Sequence, residues 1–549
     1  MTGTAAGDAH TEEQESQFSR GRVLVIFFGL ILGILMAALD QTIVAAALPT
    51  IAGELNGLKL ISWIITAYLL AQTISMPLYG KVGDFIGRKR AFQLAIVIFL
   101  AGSVLSGIAQ SMGMLIAFRT VQGIGAGGLM IGAQSIMAEV VSARHRGRYM
   151  SVMMPMIGVA TVLGPLLGGY LTQHATWRWI FYINIPIGIA AFAVTSIVLK
   201  LPRREVKPRI DLAGAAFLAG AVACLVLLLN WGGSRYGWTS LTVIGLGLGV
   251  LVLIPLWIAA ERRAPEPVLP LHLFRDEVFR VNVPLAFVTG IAMFGAVSYL
   301  PTFLQLAQGV SATSSGLLML PLMGGLMVAA ITTGQLISRT GRYKIFPLMG
   351  TALAGVGMYL LSFMDADTSR LHSSLFMAVL GLGIGFVMPT LVLTVQNSVR
   401  REDMGSATAG VNFFRQIGAS LGVALIGSLF TSRLTDQLAR NLPAQAAAKA
   451  SEQATGITPD ALNKLPPQIA EGIIQSYAHA LTPLYAYLAP LLGVAFLVVL
   501  FLREKPLATD VAGVDAADEK SGHADASSAG EAEDRADAVA DSASPAARR

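Results

Sequence analysis

The sequence predicts an all-α polytopic membrane protein with about fourteen spanning helices, set by the length of its apolar runs. Three observations carry this. Of 549 residues, 54% are hydrophobic and only 13% are charged; a soluble domain carries roughly a quarter charged residues. The apolar residues fall in runs of about 20 or more, the length that spans a ~30 Å hydrocarbon core at ~1.5 Å per residue. The basic residues sit in short loops on alternate sides of those runs.

In chain order the apolar segments are roughly 23–48, 60–80, 91–109, 112–138, 149–172, 178–199, 211–230, 240–260, 281–306, 315–337, 344–363, 372–399, 406–431 and 480–502. The joins near 110 and 173–177 are short. The stretch 433–479 is polar and Ala/Gln-rich and is expected to be a long extracytoplasmic loop with partly helical pieces. The segment 1–21 lacks a short basic stretch followed by a small-residue cleavage site, so a retained first span is expected. The lone Cys224 excludes an intramolecular disulfide. The tail 506–549, rich in Ala, Asp, Glu and Ser, is expected to be disordered.

Orientation follows from Lys and Arg. Loops after even-numbered spans and the two ends flanking the spans carry 25 of them, and loops after odd-numbered spans carry 8, half of those in the long last loop. The positive-inside rule then puts both termini in the cytoplasm. The net charge of +6 is dispersed over these loops, which is a topology signal and no sign of nucleic-acid binding.

Two parts of the chain repeat. One constant offset aligns Gly123, Gly125, Gly127 and Gly147 with Gly381, Gly383, Gly385 and Gly405, and GKVGDFIGR at 80–88 parallels GQLISRTGR at 334–342. Each span maps eight spans onward, an even shift, so the halves point the same way through the membrane: a parallel repeat. The expected organisation is an N-terminal six-helix bundle (22–200), two inserted helices (201–265) and a C-terminal six-helix bundle (266–505).

Substrate and ion sites of such repeats lie near the midplane between the halves. Ionisable residues at depth are costly and are therefore functional candidates. Asp40 in the first span, Arg119 in the fourth and Arg415 in the thirteenth make up the set. Asp40 and Arg119 sit at matching depth, roughly 10–12 Å below the outer surface at ~1.5 Å per residue. Burial favours a neutral carboxyl and a nearby cation favours a charged one. Moving Arg119 toward or away from Asp40 would therefore switch the acid's proton affinity; a purely structural buried pair is the alternative. Arg415 shares a polar helix face with Asn412 and Gln416, suited to substrate, gate or packing contacts. Gln72, Gln134, Gln305 and Gln396 are further polar candidates. The glycine-rich stretches at 123–128 and 158–169 are small-residue packing surfaces, and Pro165 can bend its helix. Trp177 and Trp179 are expected to form an interfacial aromatic belt.

LDQTIVAAALP (39–49), GKVGDFIGRK (80–89), FRTVQGIGAGG (118–128), GVATVLGPLLGG (158–169) and WRWIFYINIPIG (177–188) together resemble the motif set of the major facilitator superfamily, specifically its fourteen-helix drug:proton antiporter branch (EmrB/QacA type). The resemblance covers nearly all of 20–505. It implies the major facilitator fold and proton-driven export by alternating access from a bacterial cytoplasmic membrane, with no cofactor and no metal. It assigns proton coupling to Asp40 and Arg119, and a conformational latch to Gly80, Asp84, Gly87 and Arg88. Gly158, Gly164, Pro165, Gly168 and Gly169 become the packing or hinge residues of the antiporter motif. Ala45 stands where the family usually has Asn, and Ser338 where the second-half loop would carry an acid. The tenth span has no carboxylate, so hydrophobic neutral, zwitterionic or monovalent cationic cargo is expected over dications. Export of an endogenous lipid, siderophore or secondary metabolite is the alternative, and the long last loop leaves room for a periplasmic or envelope adaptor. The chain has no GxxxxGK[ST] phosphate loop and no HExxH, which disfavours ATP drive and that class of zinc hydrolase.

Overall fold

The computed structural model describes residues 20–507, apart from 56–59, 154, 200–210, 233–235, 311 and most of 444–464. Nearly all of the N-terminal segment 1–21 and of the tail 506–549 lie outside the described residues. The described regular structure is helical, with one isolated bridge between Gly232 and Tyr236.

The first half holds α1 (Arg20–Glu54), α2 (Ile61–Ile86), α3 (Arg88–Gly107), α4 (Met112–Val140), α5 (Ala143–Met153), α6 (Pro155–His174), α7 (Trp179–Tyr182) and α8 (Asn184–Val198). Two helices follow, α9 (Leu212–Trp231) and α10 (Leu241–Arg263). The second half holds α11 (Glu277–Val297), α12 (Leu300–Leu306), α13 (Ala312–Leu318), α14 (Leu320–Thr340), α15 (Ile345–Leu361), α16 (Arg370–Ser398), α17 (Met404–Asn441) and α18 (Pro467–Leu500). Side-chain caps mark several starts: Ser111 on α4, Asp211 on α9, Ser240 on α10, Asp276 on α11 and Ser369 on α16. Each accepts a hydrogen bond from an otherwise orphan backbone N–H. Ser111 thereby fixes the short join near 110.

Eleven described helical segments are long and apolar enough to cross a membrane, and α15 is apolar over 17 residues. The sequence predicts about fourteen crossings, and this measure finds eleven among the described residues. Helices α2 and α6 contain positions outside the described residues and are not among those eleven.

The last loop carries the partly helical pieces that the sequence predicts. Helix α17 runs 38 residues and α18 runs 34, so 433–441 and 467–479 are helical. Buried Phe430, Leu434 and Leu438 recur at i, i+4 and face an apolar strip that includes Ile473 and Tyr477. This narrow stripe is hidden in a polar average, which is why composition reads as loop. At ~1.5 Å per residue α17 is about 57 Å long, well beyond a ~30 Å core.

The buried apolar residues form two large clusters. One is built between Val23 and Leu199, with Val392 added; the other between Leu269 and Leu507, with Ala143 added. Helix α9 lies across the seam: its Leu218, Val222 and Val226 pack with Leu70, Ile74 and Leu78 of α2 and with Phe413, Phe414 and Ile417 of α17. Helix α10 packs on α9 and leaves Leu241, Leu248 and Leu251 exposed, as a lipid-facing helix does.

Candidate functional site

Asp40 is fully buried in α1 and pairs directly with Nη1 of Arg119 on α4. Its other oxygen accepts from Gln122 Nε2 at 2.8 Å and Asn184 Nδ2 at 3.0 Å. Arg119 and Gln122 share one face of α4 at i, i+3, and Arg119 also donates to Gln122 Oε1 at 2.7 Å. Ser103 of α3 accepts from both Gln122 and Asn184 and donates to the Phe181 carbonyl. The guanidinium lies 4.1 Å from the Tyr68 ring, whose hydroxyl donates to the Ala37 carbonyl at 3.0 Å. A buried ion pair persists only when its remaining donors and acceptors are also satisfied. This one is closed by four helices and a ring. The matching depths of Asp40 and Arg119 thus become a contact. Gln122, Asn184, Ser103 and Tyr68 escape sequence reasoning, although an Asn inside YINIPIG is the one strong signal: a lone amide in an apolar run needs a partner.

Helix α1 is held close to α6 immediately beside this acid. Thr42 Oγ1 donates to the Ala160 carbonyl at 2.8 Å, and a β-carbon at Gly164 would collide with Thr42. Two residues from Ala160, Gly158 packs against Met323 of α14, in the other half. Gly168 is buried and Gly169 faces open space. Pro165 lies within α6.

The turn between α2 and α3 sits on the start of α17. A β-carbon at Gly80 would lie 2.8 Å from both the Gly405 carbonyl oxygen and the Ala409 β-carbon. Asp84 abuts Gly405 at the N-terminal end of α17, where a helix dipole favours negative charge. Arg88 lies 3.7 Å from Asp84 and donates to the Ser135 carbonyl at 2.9 Å. Gly87 joins the helices at φ +88°, a conformation that suits glycine. The repeat partner is reciprocal: Gly334 of α14 packs on the Gly147 carbonyl of α5, and Arg144 donates to the Ser338 carbonyl at 3.2 Å.

A polar layer ties the halves together a few turns deeper. Asn412 Nδ2 donates to Gln134 Oε1 at 2.8 Å. Gln396 Nε2 donates to Thr408 at 2.9 Å, and its Oε1 accepts from Arg146 at 3.2 Å. Arg415 is buried and donates to Asn412 Oδ1 at 3.3 Å. Gln134, Gln396, Asn412 and Arg415 therefore come together, with Arg146 as the member that sequence reasoning missed. Gln72 and Gln416 are buried near the same level. Gln305 is apart, donating to Ser315 within the second half. Trp179 is exposed as a belt residue is, but Trp177 is buried and donates to Glu54 Oε2 at 2.7 Å. The aromatic-belt expectation fails for Trp177 because its indole N–H is spent on an acid at the end of α1.

The sequence matches the Major Facilitator Superfamily over residues 30–423. The chain belongs to that superfamily. It is 44% identical to an MFS-type transporter of Mycobacterium tuberculosis described as uncharacterized, over 89% of this chain and 70% of that protein. It is 36% identical to the multidrug transporter protein MdtP of Bacillus subtilis, over 84% of this chain and 88% of that one. The solved proton:xylose symporter XylE aligns with a TM-score of 0.59 at 14% identity, over 90% of this chain and the whole of that chain, and shows the shared fold. A multi-span superfamily transporter with an efflux role follows for this chain.

Proposed function

We propose that this protein is a proton-driven exporter of hydrophobic small molecules that works by alternating access, with fourteen crossings. Helices α2, α6 and α15 supply the three beyond the eleven apolar segments. In this arrangement 22–200 and 266–505 are the two six-helix bundles and 201–265 the inserted pair. The loops rich in Lys and Arg face the cytoplasm of a bacterial cell, with both termini. The glycine contacts and the Gln134–Asn412 layer then seal the cytoplasmic side, so the conformation is outward-facing.

The observation that carries the proposal is the enclosed Asp40–Arg119 pair. Protonation of Asp40 removes the charge that holds Arg119 and weakens the bonds from Gln122 and Asn184. The packed line Thr42–Ala160–Gly158–Met323 offers that change a route to the other half. Asp40 is already matched by a cation and two amides, which favours neutral and amphiphilic cargo over cations.

The test is flux in proteoliposomes with an imposed pH gradient, using neutral and cationic hydrophobic dyes. Asp40→Asn is expected to abolish uphill, pH-driven movement while downhill equilibration continues. Full uphill flux in this variant would reject the role given to Asp40. A second reading, export of an endogenous lipid, siderophore or secondary metabolite, is favoured by α17 and α18 reaching beyond the core on the outer side, where they form a stem for an envelope adaptor or lipid path. A deletion strain with altered envelope lipids or secreted metabolites and unchanged drug susceptibility would select it.

A further inference from the structure

The deep charges do not cancel. Asp40 and Arg119 neutralise each other, and Arg415 remains. It is 5% exposed and makes one hydrogen bond, to Asn412, although a guanidinium has five N–H donors. No carboxylate reaches it among the described residues. A cation this buried without a counter-charge is costly unless something supplies one.

Its surroundings also hold unspent hydrogen-bonding groups. Gln134 Nε2 and Gln72 Oε1 are buried without partners. Gln134 is joined to Arg415 through Asn412. Gln72 lies about two helical turns before Gly80, and Arg415 lies about three turns beyond Gly405. Since Gly80 packs on Gly405 and α2 runs antiparallel to α17, Gln72 and Arg415 are level. Arg415 is eleven residues into α17, or about 16 Å at ~1.5 Å per residue, the midplane of a ~30 Å core. It stands directly on the side of the Gln134–Asn412 layer that faces away from the basic loops. The groups left over are thus one full positive charge and an amide donor, with a second amide able to turn its NH2 inward.

We propose that Arg415, with Gln134 and Gln72, recognises the anionic head group of an amphiphilic cargo: a carboxylate, sulfonate or phosphate monoester. This rests on the export proposal and specifies its substrate class. The apolar part of the cargo lies along the helices above, and the anion completes the hydrogen bonding of the floor.

The test uses full-length protein in phosphatidylcholine nanodiscs and three probes sharing one ring system: pyrenebutyrate, pyrenebutanol and pyrenebutylammonium. Wild type is expected to bind pyrenebutyrate about tenfold more tightly than pyrenebutanol, the scale of a charge-assisted hydrogen bond. Arg415→Gln is expected to bring pyrenebutyrate down to the affinity of pyrenebutanol without changing the latter, which also reports a folded site. Arg415→Lys keeps part of the preference and Gln134→Leu narrows it, so the test survives if Arg415→Gln does not fold. Equal binding of the three probes by wild type, or a preference that persists in Arg415→Gln, overturns the proposal. Repeating the titration with phosphatidic acid, a phosphate-monoester lipid, in the disc separates two sources of anion. Displacement of pyrenebutyrate supports a lipid head group, and undisturbed binding supports a soluble organic acid. The binding is read at one pH without a gradient, so its failure is distinguishable from failure of Asp40-dependent flux.

Discussion

The reciprocal glycine contacts make a quantitative prediction about the balance of conformations. Gly80→Ala places a β-carbon 2.8 Å from the Gly405 carbonyl oxygen and 2.8 Å from the Ala409 β-carbon. Ordinary non-bonded separation is ~3.5 Å, so α2 must retreat by about 0.7 Å. Overpacking of this kind costs about 1–3 kcal/mol. The cost falls on the sealed arrangement alone, since separating α2 from α17 relieves it. A penalty of that size shifts a two-state balance by about 5–150-fold. Ser151 reports the shift: it is 1% exposed on α5 and packs against Gly334. The chain has one native cysteine, Cys224, so Cys224→Ser combined with Ser151→Cys gives a single reactive site. A membrane-impermeant maleimide applied from the basic-loop side should label it slowly in the parent and 5–150-fold faster, in round terms, once Gly80→Ala is added. Gly113→Ala, which points into open space, should leave the rate unchanged. An unaltered or slower rate with Gly80→Ala would refute the idea that this contact holds the seal.

Asn184→Ala removes donors to Asp40 and Ser103, each at 3.0 Å, and should lower stability by about 1–3 kcal/mol; a thermal midpoint equal to wild type would place Asn184 outside the network. At the opposite end of α1, Arg178 hydrogen-bonds Glu54 and holds its carboxyl below the ordinary value of 4.5. A carboxyl with a depressed folded value contributes stability that is complete above its ordinary range and fades as the pH falls through the depressed value. Both side chains are partly exposed, so solvent keeps the contribution small. Trp177, bonded to the same carboxyl, should therefore show a fluorescence change below about pH 4.5 that is missing in Glu54→Gln; a change that persists in the variant would assign it elsewhere.

What was legible in the sequence depended on how unusual each residue is in its surroundings. Asp40 and Arg119 stand out because charge in an apolar run is rare, and rise per residue gives depth directly. Rotation about each helix axis decides contact, and a run apolar on every face carries no signal of it. Gln122 is hidden for that reason, and the lone amide of Asn184 signals a partner without naming it; their roles appear only when four helices converge on one carboxylate. The repeat offsets pointed to Gly80 with Gly334 and Gly147 with Gly405, but pairing across the seam, Gly80 on Gly405 and Gly334 on Gly147, needs three dimensions. The helical pieces expected in the last loop are the ends of α17 and α18, and only their bounds are hidden, since a stripe one residue in four wide disappears in a polar window.

The location of the acid–base pair constrains how the proposed proton coupling would operate. Asp40, Arg119, Gln122, Asn184 and Ser103 all belong to the first half, so rocking one half against the other does not by itself make or break their bonds. Under the proposed coupling, protonation of Asp40 would have to change the shape of the first half and leave it through packing. Helix α6 is the element placed to carry it: Ala160 and Gly164 grip α1 two residues from Asp40, and Gly158 meets Met323 across the seam. The seam's own polar residues, Gln396, Asn412 and Arg415, come from the second half and face Arg146 and Gln134 of the first. The acid–base pair and the polar layer of the seam are thus separate clusters. They are joined by tight helix contacts, where small residues permit close approach and one methyl group is enough to disturb it.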